Sequence, residues 1–243
     1  MVGQRPQTFA EPVTAYERRT THSLNPLARF SHRARISRAL TLISYYLPTN
    51  GALLDFGCAQ GELLRRVRVV RPNDRLYGLD PFQLRGEGYV RLSSLEECRR
   101  YSFDLITAFD VLEHLGEAAT ADFFDLIDGN LTPRGVALIS VPNMLGPALV
   151  PKLLHGAFAS GSAHHYSWRE ALDSVVLMNP PPRLPPNRAG TMRHKGYDWR
   201  VTRKRIEEEF QILSETFTPF SPLWWGINSQ WFCVFRPKKR WPG

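Results

Sequence analysis

A run of alternating small residues stands where an apolar strand would end, and its spacing suits a nucleotide-like ligand. The apolar residues Leu53 and Leu54 precede Asp55, and Gly57, Ala59 and Gly61 follow at every second position. The residues after this run are typical of the first turns of a helix. A buried strand that turns through small residues into a helix leaves backbone N–H groups unpaired and lets a ligand approach the main chain.

A second acidic side chain strengthens this interpretation. Asp80 follows the apolar run 76–79, which predicts a second strand ending in an acid. A carboxylate in that place can accept hydrogen bonds from both hydroxyls of a ribose. Two strand-end acids, Asp55 and Asp80, therefore favour a cofactor site over an ordinary strand-to-helix turn.

The spacing of the small residues separates two classes of cofactor. The dinucleotide pattern places glycines as G-x-G-x-x-G, but Glu62 stands where its last glycine would be. The order acid-x-G-x-A-x-G from Asp55 to Gly61 instead resembles the first motif of class I S-adenosylmethionine-dependent methyltransferases. The resemblance implies that S-adenosyl-L-methionine is the cofactor.

Ala59 departs from that motif, which has a glycine at the same place. A left-handed backbone or a close ligand there would cost an alanine free energy. Arg134 likewise stands where a later family motif has a glycine. These departures keep open the alternative of a non-catalytic binding protein on a degenerate methyltransferase fold.

The string FDLITAFDVLEHL, residues 103–115, resembles the fourth strand and following turn of the same superfamily. The likeness is strongest to the branch of ubiquinone-biosynthesis O-methyltransferases, and it implies that the end of this strand flanks the methionine part of the cofactor. The cofactor-binding residues implied by the resemblance are Asp55, Gly57, Ala59, Gly61, Asp80, Pro81, Phe109 and Asp110.

Histidines near this second motif are candidates for acid–base chemistry. In methyl transfer the cofactor carries the activated group, so the protein must align the acceptor and exclude water. A hydroxyl acceptor must also lose its proton to a base of near-neutral pKa or to a metal. We predict His114 as that base, with Glu113 and His194 as the other catalytic residues.

Metal assistance is an alternative at the same place. The order Asp110, Glu113, His114 resembles a cluster that binds a divalent ion in some small-RNA 2′-O-methyltransferases and quinone O-methyltransferases. A later histidine completes that cluster, and the candidates here are His164, His165 and His194. Many metal-free relatives share the Leu-Glu-His sequence, so we assign no metal ligand from the sequence.

The elements that position these residues follow each other in the order of an α/β fold. Helical spacing begins near Leu27 and stops at 48–51, and strands are predicted at 89–92 and 103–109. The later predicted elements are a helix 119–131, a turn 132–135, a strand 136–143, a helix 199–209, and strands 210–217 and 230–235. Together with the resemblance, they predict a Rossmann-like, doubly wound, mostly parallel seven-stranded sheet with an antiparallel last strand and a cap insertion.

We divide the chain into four parts on this pattern. Residues 1–50 form an N-terminal arm and a lid helix, and 51–143 form the Rossmann-like core that binds the cofactor. Residues 144–198 form a cap or substrate insertion, because they contain scattered histidines and a proline-rich run without clear periodicity. Residues 199–243 complete the sheet and end in a basic tail.

Composition narrows the partners. No apolar run reaches the ~20 residues of a membrane span, and residues 1–10 lack the apolar core of a signal peptide, so we expect a cytoplasmic protein. The three cysteines are far apart, which argues against a zinc or redox centre.

We expect a small-molecule, sugar (glycan) or lipid-linked acceptor, methylated on oxygen or nitrogen. The net charge of +8 keeps nucleic acid as a second choice, although no nucleic-acid-binding module is recognisable. The oligomeric state stays open.

Overall fold

Apolar runs bounded by turn-forming residues build the central sheet. The computed structural model describes residues 26–81, 88–159, 166–186 and 192–238. Within these ranges the strands are β1 Ala52–Phe56, β2 Arg75–Leu79, β3 Val90–Leu92, β4 Phe103–Phe109, β5 Leu131–Pro142, β6 Phe210–Thr218 and β7 Gln230–Pro237. They form a seven-stranded sheet in the order β3-β2-β1-β4-β5-β7-β6.

The directions of the strands confirm the predicted Rossmann-like fold. β1 pairs in parallel with β2 and β4, β2 with β3, and β4 with β5. The last strand, β7, is antiparallel to both of its neighbours, β5 and β6. The strand order reverses between β1 and β4. In open α/β sheets the crevice outside the carboxyl ends of the strands at such a reversal is where ligands bind.

Helices cover both faces of this sheet. They are α1 Pro26–Tyr46, α2 Glu62–Val70, α3 Leu95–Cys98, α4 Glu117–Asn130, α5 Val150–Ala159, α6 Trp168–Leu172 and α7 Trp199–Glu209. On one face Ile43 of α1 and Leu64 of α2 are buried in a cluster with Leu53 of β1. On the other face Phe123 and Ile127 of α4 are buried in a second cluster. Because both faces are covered, the parallel strands are apolar on both sides.

The observed bounds agree with most of the predicted elements. α1 confirms the predicted first helix, and α7 has the predicted bounds. The predicted turn 132–135 is instead part of β5, which already begins at Leu131. Between the pairs Phe103–Leu131 and Leu105–Val136 the register shifts, so the intervening residues bulge out of the ladder. Gly135 fits this bulge because a Cβ there would lie 2.9 Å from the Phe103 carbonyl oxygen.

The predicted cap, residues 144–198, contains short helical segments where the structure describes it. These are α5, α6, a 3-10 turn Pro147–Leu149 and a π-helical turn Asp173–Leu177. The proline-rich run 180–186 has no regular secondary structure. His164 and His165 lie outside the described residues. The four-part division of the chain stays a prediction.

None of the described helices combines the length and the apolar character that crossing a bilayer requires.

Candidate functional site

The turn between β1 and α2 has the backbone that its small residues predict. Gly57, Ala59 and Gly61 all have positive φ, at 75°, 47° and 73°. A Cβ on Gly57 would overlap the side chain of Val111, and one on Gly61 would overlap the ring of Tyr89. Glycine is therefore required at both positions for space as well as for conformation.

Ala59 adopts the left-handed conformation despite its methyl group. The left-handed region costs an L-residue roughly 1–2 kcal/mol. The backbone N–H of Ala59 donates to the Asp80 carboxylate at 2.8 Å, which ties the strained residue to the end of β2. The loop thus keeps the shape of an all-glycine turn at some cost in free energy.

A cleft of about 720 Å³, including space open to solvent, lies between α1 and this turn. His32, Arg35 and Ala39 line it from α1, and Phe109 lines it from the end of β4. Of the predicted cofactor residues, Asp55, Gly57, Ala59 and Phe109 line the cleft.

The remaining predicted cofactor residues adjoin this lining. Asp80 accepts a hydrogen bond from the N–H of Ala59, and Asp110 forms an ion pair with Arg35. Ala59 and Arg35 both line the cleft. Gly61 is buried under Tyr89, and Pro81 is exposed in the turn after β2. Pro81 is followed by residues 82–87, which lie outside the described part of the chain.

Asp55 lies at the bottom of the cleft and is almost fully buried. Its Oδ1 accepts a hydrogen bond from the Thr107 hydroxyl at 2.8 Å. Burial raises the pKa of Asp55 to about 7, against the opposing effect of the Thr107 hydrogen bond, and the charge of Asp80 raises it further. Near neutral pH this carboxyl is therefore partly protonated.

An ion pair that the sequence did not reveal bridges the cleft. The guanidinium of Arg35 on α1 pairs with the carboxylate of Asp110, and each side chain is only 13% exposed. Arg35 also donates to His32 Nδ1 at 3.0 Å, and Asp110 Oδ1 accepts from Gln230 Nε2 at 2.7 Å. His32 Nε2 is buried without a hydrogen-bond partner among the described residues.

The helical spacing of residues in α1 shows why Arg35 lines the cleft. His32, Arg35, Ile36 and Ala39 recur at helical spacing and so share the face of α1 that lines the cleft.

A second group of residues forms where β4 ends, in the 3-10 turn Leu112–His114. His114 Nδ1 lies 3.0 Å from the Met192 carbonyl oxygen, and His114 Nε2 lies 3.1 Å from His194 Nε2. The Glu113 carboxylate is 4.0 Å from His114 Nε2. The structure therefore brings the three predicted catalytic residues, Glu113, His114 and His194, together.

The tautomer of His114 follows from its contacts. A carbonyl oxygen only accepts hydrogen bonds, so His114 Nδ1 carries a proton and its Nε2 faces His194 with a lone pair when the ring is neutral. Burial lowers the pKa of His114, opposed by the hydrogen bond to Met192 and assisted by the charge of Arg183. At neutral pH the ring is therefore mainly neutral and able to accept a proton.

Glu113 is the most deeply buried member of the group, with no exposed side-chain surface. Neither of its carboxylate oxygens has a hydrogen-bond partner among the described residues. Burial raises its pKa to about 8, although Arg35, Lys152 and Arg183 act in the opposite direction. The interaction with Arg35 links this group electrostatically to the cleft.

A sequence profile described as a methyltransferase domain matches residues 28–183, more than half of the chain. The chain belongs to this methyltransferase family. The matched region of this methyltransferase begins in α1 and includes the cleft, the turn after β1, Glu113 and His114. It confirms the superfamily predicted from the sequence. The likeness to the ubiquinone-biosynthesis branch stays a prediction.

Three solved structures share the fold of this methyltransferase. A protein of Pyrococcus horikoshii OT3 has a TM-score of 0.55 at 13% identity, over 95% of this chain and 100% of that chain. A S-adenosylmethionine-dependent methyltransferase of Clostridium acetobutylicum ATCC 824 has a TM-score of 0.53 at 9% identity, over 95% and 99%.

The third structure is the 1,6-didemethyltoxoflavin-N1-methyltransferase of Burkholderia thailandensis, with bound 1,6-didemethyltoxoflavin and S-adenosylhomocysteine. Its TM-score is 0.53 at 13% identity, over 97% of this chain and 93% of that chain. At these identities the likenesses establish the fold alone. No curated protein sequence matches this methyltransferase significantly.

Proposed function

We propose that this methyltransferase binds S-adenosyl-L-methionine in the cleft between α1 and the β1–α2 turn. The proposed reaction transfers the methyl group to an oxygen or nitrogen atom of a small-molecule, sugar or lipid-linked acceptor. The family match supports the reaction, and the position of the cleft at the reversal of the strand order supports the site.

The residues of the cleft fit this cofactor. The left-handed turn keeps side chains away from the path of a ligand toward the backbone N–H groups at the start of α2. Asp80 follows β2 with a carboxylate suited to ribose hydroxyls. The unpartnered Nε2 of His32 offers a further polar contact from α1.

The contacts of His114 are the reason why we favour a hydroxyl group as the methyl acceptor. S-adenosyl-L-methionine supplies an activated methyl group when bound, so an oxygen acceptor depends on the protein for the loss of its proton. His114 presents a neutral Nε2 at the same edge of the sheet as the cleft, with its Nδ1 proton fixed by Met192. In this proposal the acceptor hydroxyl replaces His194 as the partner of His114 Nε2, which then takes the acceptor proton, while Met192 fixes the ring through Nδ1. Glu113 and His194 flank the ring.

Calorimetry with S-adenosylhomocysteine tests the cofactor site. We expect micromolar or tighter binding by the wild type and at least about tenfold weaker binding by Asp80→Ala, since two hydrogen bonds to a charged group are lost. Asp80→Asn keeps an acceptor for the Ala59 N–H and should be intermediate. Glu96→Ala is the control, because Glu96 is 79% exposed on α3. No binding by the wild type, or unchanged binding by Asp80→Ala, contradicts the proposal.

A metal-assisted form of the reaction is the second candidate. Donor atoms of Glu113, His114 and His194 all lie within 4.8 Å of one another. A carboxylate and two imidazoles suit a divalent transition metal, and the unpartnered Glu113 oxygens fit that role. A bound cation would lower the pKa of an acceptor hydroxyl. The hydrogen-bond distance between the two imidazoles means that such binding would release their shared proton.

Titration with MnCl₂ or ZnCl₂ separates the two candidates. A metal site predicts saturable binding that weakens at acid pH and is lost in Glu113→Gln, while Glu117→Gln, an exposed change at the start of α4, has no effect. Absence of binding by the wild type, with methyl transfer that survives EDTA, would leave His114 as the base.

A further inference from the structure

Arg183 lies beside the proposed base and has no role in the chemistry proposed so far. It belongs to the proline-rich run 180–186, and its guanidinium donates a hydrogen bond to the backbone carbonyl oxygen of Glu113. The same positive charge acts on the His114 ring and on the Glu113 carboxyl. Arg183 therefore brings a permanent cation to the group of Glu113, His114 and His194.

The surroundings of Arg183 hold it in this place. Its guanidinium carbon lies 5.1 Å from the centre of the buried Tyr197 ring, in a cation–π contact. Its backbone packs against Gly196, where a Cβ would lie only 2.7 Å from the Arg183 Cα. Gly196 also has a positive φ of 77°, so this contact requires glycine for both space and conformation. The position of Arg183 is thus fixed by a buried ring and by a close backbone contact.

The charge of Arg183 is not neutralised within the described ranges of the chain. No carboxylate there forms an ion pair with it, and its contacts are a neutral carbonyl oxygen and an aromatic ring. Burial raises the pKa of Glu113 to about 8, so that carboxyl is mainly protonated at neutral pH. The Glu113 carbonyl oxygen accepts from one guanidinium nitrogen, whereas a carboxylate or phosphate accepts from two at once.

The two other cations that act on Glu113 are less suited to bind an anion from solvent. Arg35 pairs with a carboxylate, and the Lys152 ammonium donates to two backbone carbonyl oxygens at 2.8 and 3.3 Å. Of the three cations, Arg183 is the exposed one. The side chain of His114 is 34% exposed, so one ligand can reach both His114 and Arg183.

We propose that Arg183 binds an anionic group of the methyl acceptor, a carboxylate or a phosphate, and so selects acceptors that carry such a group near the methylated hydroxyl. Two parallel hydrogen bonds from the guanidinium fix the orientation of the anion as well as its affinity. They direct the hydroxyl toward His114 Nε2, and such alignment contributes much of the acceleration of a transfer reaction. This inference rests on the proposed function, in which His114 takes the proton of the acceptor.

Titration with small anions tests the site directly. NMR follows the histidine ring resonances during addition of sodium phosphate or sodium acetate at constant pH and ionic strength, and His114→Gln assigns the His114 signals. We expect saturable shifts of these signals in the wild type. Binding should be at least about tenfold weaker in Arg183→Gln, since hydrogen bonds to a charged group are lost. The anion that binds more tightly identifies the group as phosphate or carboxylate.

Two further variants make this test specific. Arg183→Lys keeps the charge without the planar fork and should bind with intermediate affinity. If Arg183→Gln does not fold, weaker binding by Arg183→Lys takes its place in the test. Arg169→Gln is the matched control, because Arg169 also lies over an aromatic ring, that of the exposed Trp168, at 5.2 Å. It should leave both affinities unchanged.

The absence of saturable shifts in the wild type, or equal affinities in the wild type and Arg183→Gln, would overturn the inference. Calorimetry with S-adenosylhomocysteine on the same protein separates it from the proposed function. Binding of S-adenosylhomocysteine without anion binding removes this inference alone. Anion binding at Arg183 without S-adenosylhomocysteine binding removes the proposed function, and with it the acceptor role of the anion site.

Discussion

Ala59 has a backbone conformation that its methyl group disfavours. It has φ of 47°, in the left-handed region that glycine tolerates and alanine does not. We expect Ala59→Gly to raise the free energy of unfolding by about 0.5–1 kcal/mol, because the relief of strain exceeds the added entropy of the unfolded chain. Urea denaturation measures the change.

A second alanine gives the matched control for this prediction. Ala121→Gly lies inside α4, where glycine is disfavoured, and should lower the free energy of unfolding by about 0.5–1 kcal/mol. If Ala59→Gly destabilises the protein by a similar amount, the turn is not strained at this residue.

Asp55 makes stability depend on pH. Its pKa is raised by burial to about 7, whereas an unfolded aspartate titrates near 3.8. Between these values the native state binds more protons than the unfolded state, so stability falls as pH rises from about 4 to about 7. Asp55→Asn removes this contribution, and its stability relative to the wild type should increase across the same interval.

Urea denaturation at several pH values checks this prediction. Asp122→Asn, an exposed change on α4, should follow the wild type at every pH. A constant difference between Asp55→Asn and the wild type from pH 4 to pH 8 would show that Asp55 ionises normally in the folded protein.

The sequence predicted the residues that follow strand ends and missed those that meet across the fold. Asp55 and Asp80 were recognisable because each follows its own apolar run. Arg35 was not, because α1 carries four arginines and only the packing of α1 against the end of β4 selects one of them. The left-handed φ of Ala59 was likewise a condition that only the structure could test.

At the scale of elements, α1 links the core to the cleft. Ile43 is 1% exposed and packs in the cluster that also contains Leu64 of α2 and Leu138 of β5. We expect Ile43→Ala to lower the free energy of unfolding by about 2–5 kcal/mol, from lost burial and the cavity left behind. The control is Val69→Ala on α2, 82% exposed, with an effect within about 0.5 kcal/mol. A small effect of Ile43→Ala would mean that α1 contributes little to the core.

Helices and strands were predictable from the sequence where their hydrophobic periodicity is strong. They were missed where tertiary packing or a helix cap determines the structure. α7 combines helical spacing with an Asp198 cap, and its bounds were predicted correctly. β5 includes a bulge that proline and glycine made resemble a turn. α6 lies in the predicted cap without clear periodicity, yet its capping box of Ser167 and Glu170 was a local signal that could have located it.

At the scale of the whole molecule, the fold and the position of the cleft follow from the order of the strands, whereas the acceptor does not. Residues 144–198, where acceptor recognition is predicted, carry little periodic pattern, and their short helices depend on local caps and contacts. The net charge of +8 describes the surface as a whole and selects no acceptor class.

Cofactor binding should stabilise the entire fold, since the proposed ligand contacts β2, the β1–α2 turn and α1 together. A ligand at 100 times its Kd adds about 2.7 kcal/mol to the free energy of unfolding. For a chain of this size, 1 kcal/mol raises Tm by about 2–4 °C, so saturating S-adenosylhomocysteine should raise Tm by roughly 5–10 °C. Differential scanning fluorimetry measures the shift. At the same ligand concentration Asp80→Ala should show a smaller shift, and Arg33→Gln, an exposed change on α1, the full one. An equal shift in both variants would place the ligand outside this cleft.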